Sequence, residues 1–475
     1  MPLERLPRST PETKGLSSRA VLDLLDGFEK TVHELHSLMI VVRGHVVTEG
    51  WWAPYAADLP HQMYSLSKSF TSTAVGLAEG EGLLSVDDLV LPYFPDDAPP
   101  EPGEHLRVLR IRDLLTMRTG HDQDPTESVF SQPDWVKAFL ARPIEHQPGS
   151  HFAYNTAGSY MLSAIVQKVT GQRVVDYLAP RLFEPLGIEG AVWEESPQRI
   201  NIGGTGLNLR TEDVACFGQL LLDDGVWEGR RLLPEGWVAR ATSRQGPSDE
   251  EPSDWAQGYG YQFWQARHGY RGDGAFGQYC VVLPEQQTVV AITAGVMDMQ
   301  IPLDQLWEHL LPALTGSPLP ADDAAHEELT GRTRALEVAA PVGSIDLAGV
   351  DALVGSTFAV EPNDLGISAV HVDRKSDGLR VAVTGAVGTT AIEAGDGTWL
   401  AGSVPARRWG RLPSVAMGTW TEPGTYLLTI RMITTPYALR VTARIDGDEL
   451  RIVADLNVSF GQTRVAELVA HRTTT

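Results

Sequence analysis

Residues 64–79 read YSLSKSFTSTAVGLAE, and the pattern predicts a helix that opens at Ser65 and runs to Glu79. Residues three apart on a helix share a face, so the Ser65 hydroxyl and the Lys68 amine come within hydrogen-bonding reach. A serine hydroxyl is a weak nucleophile until a neighbouring base takes its proton. Lysine serves as that base where an apolar wall lowers its pKa toward neutral. The first turn also sets Ser65 near the positive end of the helix dipole, which favours a developing oxyanion. A capping serine beside a solvated lysine would spell the same residues. Lysine is scarce in this chain, however: only 6 of the 38 basic residues, and Lys68 alone has a serine three positions before it.

Two further stretches carry chemistry. In PGSHFAYNTAG (148–158), Tyr154 lies on a turn-rich segment entering a helix. A phenol there relays protons if nearby cations lower its pKa. In RGDGAFGQY (271–279), glycines let a backbone approach a substrate closely, and a strand-edge N–H can donate to an oxyanion. Taken singly, the tyrosine reads equally as a packed aromatic and the glycine run as a tight hairpin. Trp264 and Phe276 are candidates to flank the site. The run His33-Glu34-Leu35-His36 lacks zinc-ligand spacing and reads as an amphipathic helix end.

The remainder supplies the frame. Ser17 caps a predicted helix reaching Lys30, and residues 37–52 read as a hairpin turning at Arg43-Gly44. Segments 111–117, 160–170, 211–223 and 303–314 are helical in pattern, and strands follow one another between Tyr259 and Thr293. Residues 316–344 are Pro/Ala/acid-rich with a short helical stretch, which suits a linker. Beyond Ser344 the chain alternates with period two between turns, an all-β module of about 130 residues. The 475 residues allow two or three domains, and a net charge of −23 argues against a nucleic-acid or anionic-membrane surface. Two cysteines cannot build a disulfide framework or a four-cysteine zinc site, so no metal is expected. The polar start lacks a signal peptide's apolar core, and no run approaches 18 apolar residues, so a cytoplasmic protein is expected. No phosphate loop or dinucleotide fingerprint occurs, and no cofactor is expected.

The order SxxK, tyrosine motif and Gly-rich strand resembles the serine β-lactamase and penicillin-binding protein superfamily. The resemblance is closest to its class C-like branch, which includes family VIII carboxylesterases, D-aminopeptidases and DD-peptidases. Connecting stretches LLSVDDLVLPYFPD, IRDLLTMRTG, PRLFEPLGI and GLNLRTEDVACFGQLLL fit as well, over roughly residues 10–315. The resemblance implies an α/β (α+β) β-lactamase/transpeptidase-like domain over 1–318, an antiparallel sheet with flanking helices and an all-helical region. A linker over 319–344 and a C-terminal β-barrel or sandwich over 345–475 would follow. It implies that Ser65 attacks an ester or amide carbonyl, Lys68 is the base and Tyr154 carries the proton to the leaving group. The backbone N–H groups of Ser65 and Gln278 would form the oxyanion hole, with Gly277 and Phe276 beside it. Water then releases the acyl group, and an amine could replace water.

Two departures from the family pattern bear on substrate. The tyrosine motif is commonly Y-x-N, but Asn155 follows Tyr154 directly and Thr156 takes the usual Asn place, leaving either to meet the lysine. The third motif usually opens with a cation two residues before a glycine; here that place holds Ala275 or Gly272. Without a cation, unless Arg271 or His268 reaches in, the site suits neutral esters or amides better than β-lactams or D-Ala-D-Ala peptides. The expected partner is a small ester, amide or peptide substrate, with a homo-oligomer left open. Two alternatives stand beside this reading: a penicillin-binding protein that deacylates slowly, and a binding protein acting through its C-terminal β-module.

Overall fold

The computed structural model describes residues 5–248, 253–343, 353–406 and 410–473. Helix α1 (Ser18–Thr31) starts where expected, the Ser17 hydroxyl accepting from the amides of Arg19 and Ala20. Those are two of the donors that every helix start leaves open. The predicted hairpin is present as β1 (Leu35–Val42) and β2 (His45–Trp51). Arg43 and Gly44 both take positive φ in its turn, as a tight two-residue hairpin requires. The helix end expected at His33–His36 is absent: α1 stops at Thr31, and His36 is already in β1.

Strands β3 (Trp264–Gln265), β4 (Tyr270–Gly274), β5 (Gln278–Leu283) and β6 (Thr288–Ala294) join the hairpin. Together they make an antiparallel six-stranded sheet in the order β2-β1-β6-β5-β4-β3. The period-two rule divides its side chains between two cores. Leu38, Ile40, Val42, Tyr279, Val281 and Leu283 pack with α1 on one face. Met39, Val41, Cys280 and Val282 pack on the other with helix α4 (Thr211–Leu222). Because both faces are covered, β1 and β5 are buried throughout, and their sequences are runs rather than alternations.

Helices α2 (Ser67–Gly80) and α3 (Thr156–Thr170) pack against each other in the helical region beyond the sheet. The helix α5 (Asp323–Arg334), inside the expected linker, lies against α1 and β2. Arg332 pairs with Asp26 and Glu29 of α1 there, so this stretch is held to the first domain. The boundary expected at 344/345 lies outside the described residues.

The C-terminal module is a barrel. Its strands are β7 (Ser356–Val360), β8 (Ile367–Lys375), β9 (Gly378–Gly385), β10 (Gly388–Asp396) and β11 (Leu400–Ala406). They continue as β12 (Gly410–Glu422), β13 (Thr425–Arg431), β14 (Ala438–Asp446), β15 (Glu449–Leu456) and β16 (Arg464–Arg472). The order is β10-β9-β8-β7-β16-β15-β14-β13-β12-β11, and a further β10–β12 pairing closes a ring of nine. Phe358, Val370, Trp420, Tyr426, Leu450 and Leu468 fill the interior. Closure removes the open sheet edges that would otherwise invite pairing with another chain. Among the described residues no helix is long and apolar enough to cross a membrane.

Candidate active site

From His61 to Ala78 every residue is buried except Ser65. A short 3₁₀ turn (Tyr64–Leu66) leads into α2 and lifts that serine to the surface of a cleft. The helix behind it is closed in on all sides, and most of its hydroxyls find partners, Ser72 being the exception. Ser67 accepts from the Leu207 amide, Ser69 donates to the Gln262 carbonyl, and Thr71 donates to the Gly203 carbonyl. Buried polar groups must be satisfied in this way.

The predicted pair is brought together. Lys68 Nζ lies 3.0 Å from Ser65 Oγ, 3.1 Å from Thr156 Oγ1 and 2.7 Å from the Gly204 carbonyl oxygen. Burial lowers its pKa from 10.5 to about 7, against smaller opposing contributions from Asp124 and Asp273. A neutral amine has two N–H donors and one lone pair. As an ammonium, Lys68 donates to all three; as a neutral amine, its two donors suffice for Gly204 and Thr156, which frees the lone pair for the Ser65 proton. Gly204 was not anticipated from the sequence. A Cβ on it would stand 2.7 Å from Thr156 Cγ2, so the close approach needs glycine, and the pair Gly203-Gly204 was the available signal.

Tyr154 packs over the pair, with Lys68 Nζ 4.7 Å from its ring centroid, and its hydroxyl interacts with the Ser65 hydroxyl. Trp264 stacks on it at 5.5 Å, while Phe152 and Tyr259 close the same cluster. From the sequence, a relay through Tyr154 is tied to cations lowering its pKa, a condition the structure does not meet. The shift is upward: burial raises it, and the nearby carboxylates of Asp273 and Asp124 add to the effect. Tyr154 therefore stays a neutral phenol at ordinary pH.

The two candidates after Tyr154 separate. Asn155 is fully buried and caps α3, accepting from the Gly158 amide and donating to Thr119 Oγ1. Thr156 is the residue whose hydroxyl meets Lys68.

At the sheet side, β4 lies against the Tyr64–Leu66 turn. A Cβ on Gly274 would stand 2.1 Å from the Met63 carbonyl oxygen and 3.1 Å from the Ser65 amide nitrogen. Phe276 and Gly277 follow in the turn with positive φ. Gln278 lies on β5, one strand inward. Its side-chain amide donates to the carbonyls of Ala275 and Ala294 and so braces the turn. Phe276 packs on Tyr64, and not on the cluster around Tyr154.

Of the two candidate cations, Arg271 is committed elsewhere, and His268 is an exposed ring with no hydrogen bond or ring contact to the Ser65 group among the described residues. Arg271 is fully buried, paired with Asp273 at 2.9 Å and bonded to the carbonyls of Asp254 and Gln265. The His268 ring packs on Trp307 at 5.1 Å. His61, a weaker candidate beside the nucleophile segment, is buried against His36 with a 3.1 Å nitrogen–nitrogen contact. Asp122, His146 and His151 bring ligand atoms within 4.8 Å of one another, but none of them contacts the Ser65 group.

A family model described as Beta-lactamase matches residues 35–299, more than half of the chain and the whole of this site. The chain belongs to the beta-lactamase family. Within that family it is 26% identical over 320 residues to a 6-aminohexanoate-dimer hydrolase of Paenarthrobacter ureafaciens, covering 61% of this chain and 80% of the relative. It is also 26% identical over 345 residues to penicillin-binding protein 4 of Amycolatopsis lactamdurans, covering 64% and 89%. An octameric penicillin-binding protein homologue from Pyrococcus abyssi shares the fold, with a TM-score of 0.50 at 16% identity, over 95% of this chain and 99% of that one. The chain is thus a hydrolase of the β-lactamase-related type.

Proposed function

We propose that this beta-lactamase-family protein hydrolyses neutral esters or amides through an acyl-enzyme on Ser65. The observation that carries the reading is the saturation of Lys68: with two donors engaged, its lone pair has one acceptor task left, the Ser65 proton. Ser65 Oγ attacks the substrate carbonyl as its proton passes to Lys68 Nζ. The oxyanion meets the backbone N–H groups of Ser65 and Gln278. The Tyr154 phenol gives its proton to the departing oxygen or nitrogen and recovers one from the Lys68 ammonium. Water then enters by the same relay in reverse and releases the acid.

The charge of the site supports a neutral substrate. Arg271 is committed to Asp273, and the ionisable groups acting on Lys68 and Tyr154 are carboxylates. That disfavours the carboxylate of a β-lactam, and with it the penicillin-binding alternative. Incubation with p-nitrophenyl acetate and intact-mass measurement test the proposal. Wild type should show turnover and a transient adduct on Ser65, and Ser65→Ala should show neither. Unchanged turnover in Ser65→Ala would reject it. A long-lived adduct with nitrocefin would restore the penicillin-binding reading.

A further inference from the structure

The barrel reaches the catalytic turn. Between β15 and β16, residues 457–463 form a loop whose root is held by Asn457, which donates to the carbonyls of Gly295 and Pro436 and accepts from the Ala438 amide. Val458 is fully buried beside Tyr64 and Phe276. Two residues on, Phe460 is 76% exposed, yet its ring lies 4.7 Å from Phe276 and 5.8 Å from Tyr64. Tyr437, at the start of β14, completes the group, its hydroxyl 2.6 Å from that of Tyr64. Tyr64 is the residue before Ser65, and Phe276 sits in the turn that follows Gly274. A large aromatic held this openly costs solvation unless something covers it.

Resting on the reading of Ser65 as the nucleophile, we infer that Phe460 and its aromatic neighbours form an apolar wall that receives the acyl part of the substrate. The separation of two aromatic groups decides which part. The leaving group must meet the Tyr154 hydroxyl, and Tyr154 belongs to the separate cluster of Trp264, Tyr259 and Phe152. The wall shares no residue with that cluster and packs instead on Tyr64, the residue before Ser65, and on Phe276 of the turn after Gly274. The occupant is therefore an aliphatic or aromatic acyl chain, and the barrel supplies part of its specificity.

The test compares p-nitrophenyl acetate and octanoate with one leaving group, and phenyl and naphthyl acetates with one acyl group. In Phe460→Ser the octanoate-to-acetate ratio of kcat/KM is expected to fall about tenfold, the loss of a large apolar contact. Phe460→Leu should recover most of it, and the phenyl-to-naphthyl ratio should hold. Val387→Ser, at an exposed turn elsewhere on the barrel, serves as the control for nonspecific effects. An unchanged octanoate ratio, with or without a fall in stability, would make the cluster a docking contact and overturn the inference. A change confined to the leaving-group ratio would overturn the assignment to the acyl side. Failure of any ester to modify Ser65 in wild type, read by intact mass, would instead reject the catalytic reading beneath it.

Discussion

Proton supply at Lys68 is open to a quantitative test by pH. With a pKa near 7 rather than 10.5, about half of the amine is neutral at pH 7, against roughly three in ten thousand for an unshifted lysine. The site thus gains about three orders of magnitude in available base. For p-nitrophenyl acetate, kcat/KM should climb about tenfold per pH unit below pH 6 and level off above about pH 8. The same shift must appear in stability. The folded chain binds this proton more weakly than the unfolded chain, so the penalty is fully present below pH 7 and is relieved as pH rises toward 10.5. For a shift from 10.5 to about 7, that penalty is on the order of 5 kcal/mol. Lys68→Met removes the charge along with the catalysis. Urea unfolding should show its stability relative to wild type several kcal/mol higher at pH 6 than at pH 10. Two results would refute the argument: a rate that keeps rising through pH 10, or a stability difference independent of pH.

Other substitutions address the relay, the oxyanion turn and the junction with the barrel. Tyr154→Phe keeps the stack on Trp264 but loses the hydroxyl; kcat should drop about 10²–10⁴-fold with little change in thermal stability, and a smaller loss would remove the tyrosine from the relay. Gly274→Ala places a methyl group against the Met63 carbonyl, a backbone atom that cannot rotate away. Ester turnover should fall at least about tenfold through displacement of the oxyanion donors, and unaltered kcat would show that the turn tolerates the shift. Arg431→Ala leaves the buried Glu34 with only the largely exposed Arg440, at 3.3 Å, in place of its 2.5 Å partner. Denaturant titration should show a loss of about 3–5 kcal/mol, and a loss below 1 kcal/mol would show that the pair is solvated.

The relation between sequence and site is uneven for physical reasons. Ser65 and Lys68 were legible because their relation is local: a spacing of three on a helix nearly determines their distance. The hairpin 35–51 and the period-two barrel strands were legible for the same reason. The sign of the Tyr154 shift was not, since it comes first from burial among distant residues, with Asp273 and Asp124 adding to it across 119 and 30 positions of chain. The choice between Asn155 and Thr156 turned on where α3 begins, and helix ends are set by cap geometry that a motif does not carry. Phe276 packs with barrel residues about 160 to 180 positions later, a contact that no local pattern carries. No local pattern could announce Phe460 or Tyr437, because their meaning lies only in the docking of two distant folds.

Tyr64, with φ at +46°, holds a backbone shape that a bulky residue adopts only under constraint. Its hydroxyl is tied to Tyr437, and Arg431 is locked to Glu34 at the mouth of β1. The nucleophile's posture is therefore partly inherited from the barrel. A chain shortened after residue 343 would keep Ser65, Lys68 and Tyr154, yet Tyr64 would lose its Tyr437 bond and Glu34 its Arg431 and Arg440 partners. The backbone that aims the serine and the barrel strands thus share contacts, and exchanging the barrel is expected to require retuning around the serine.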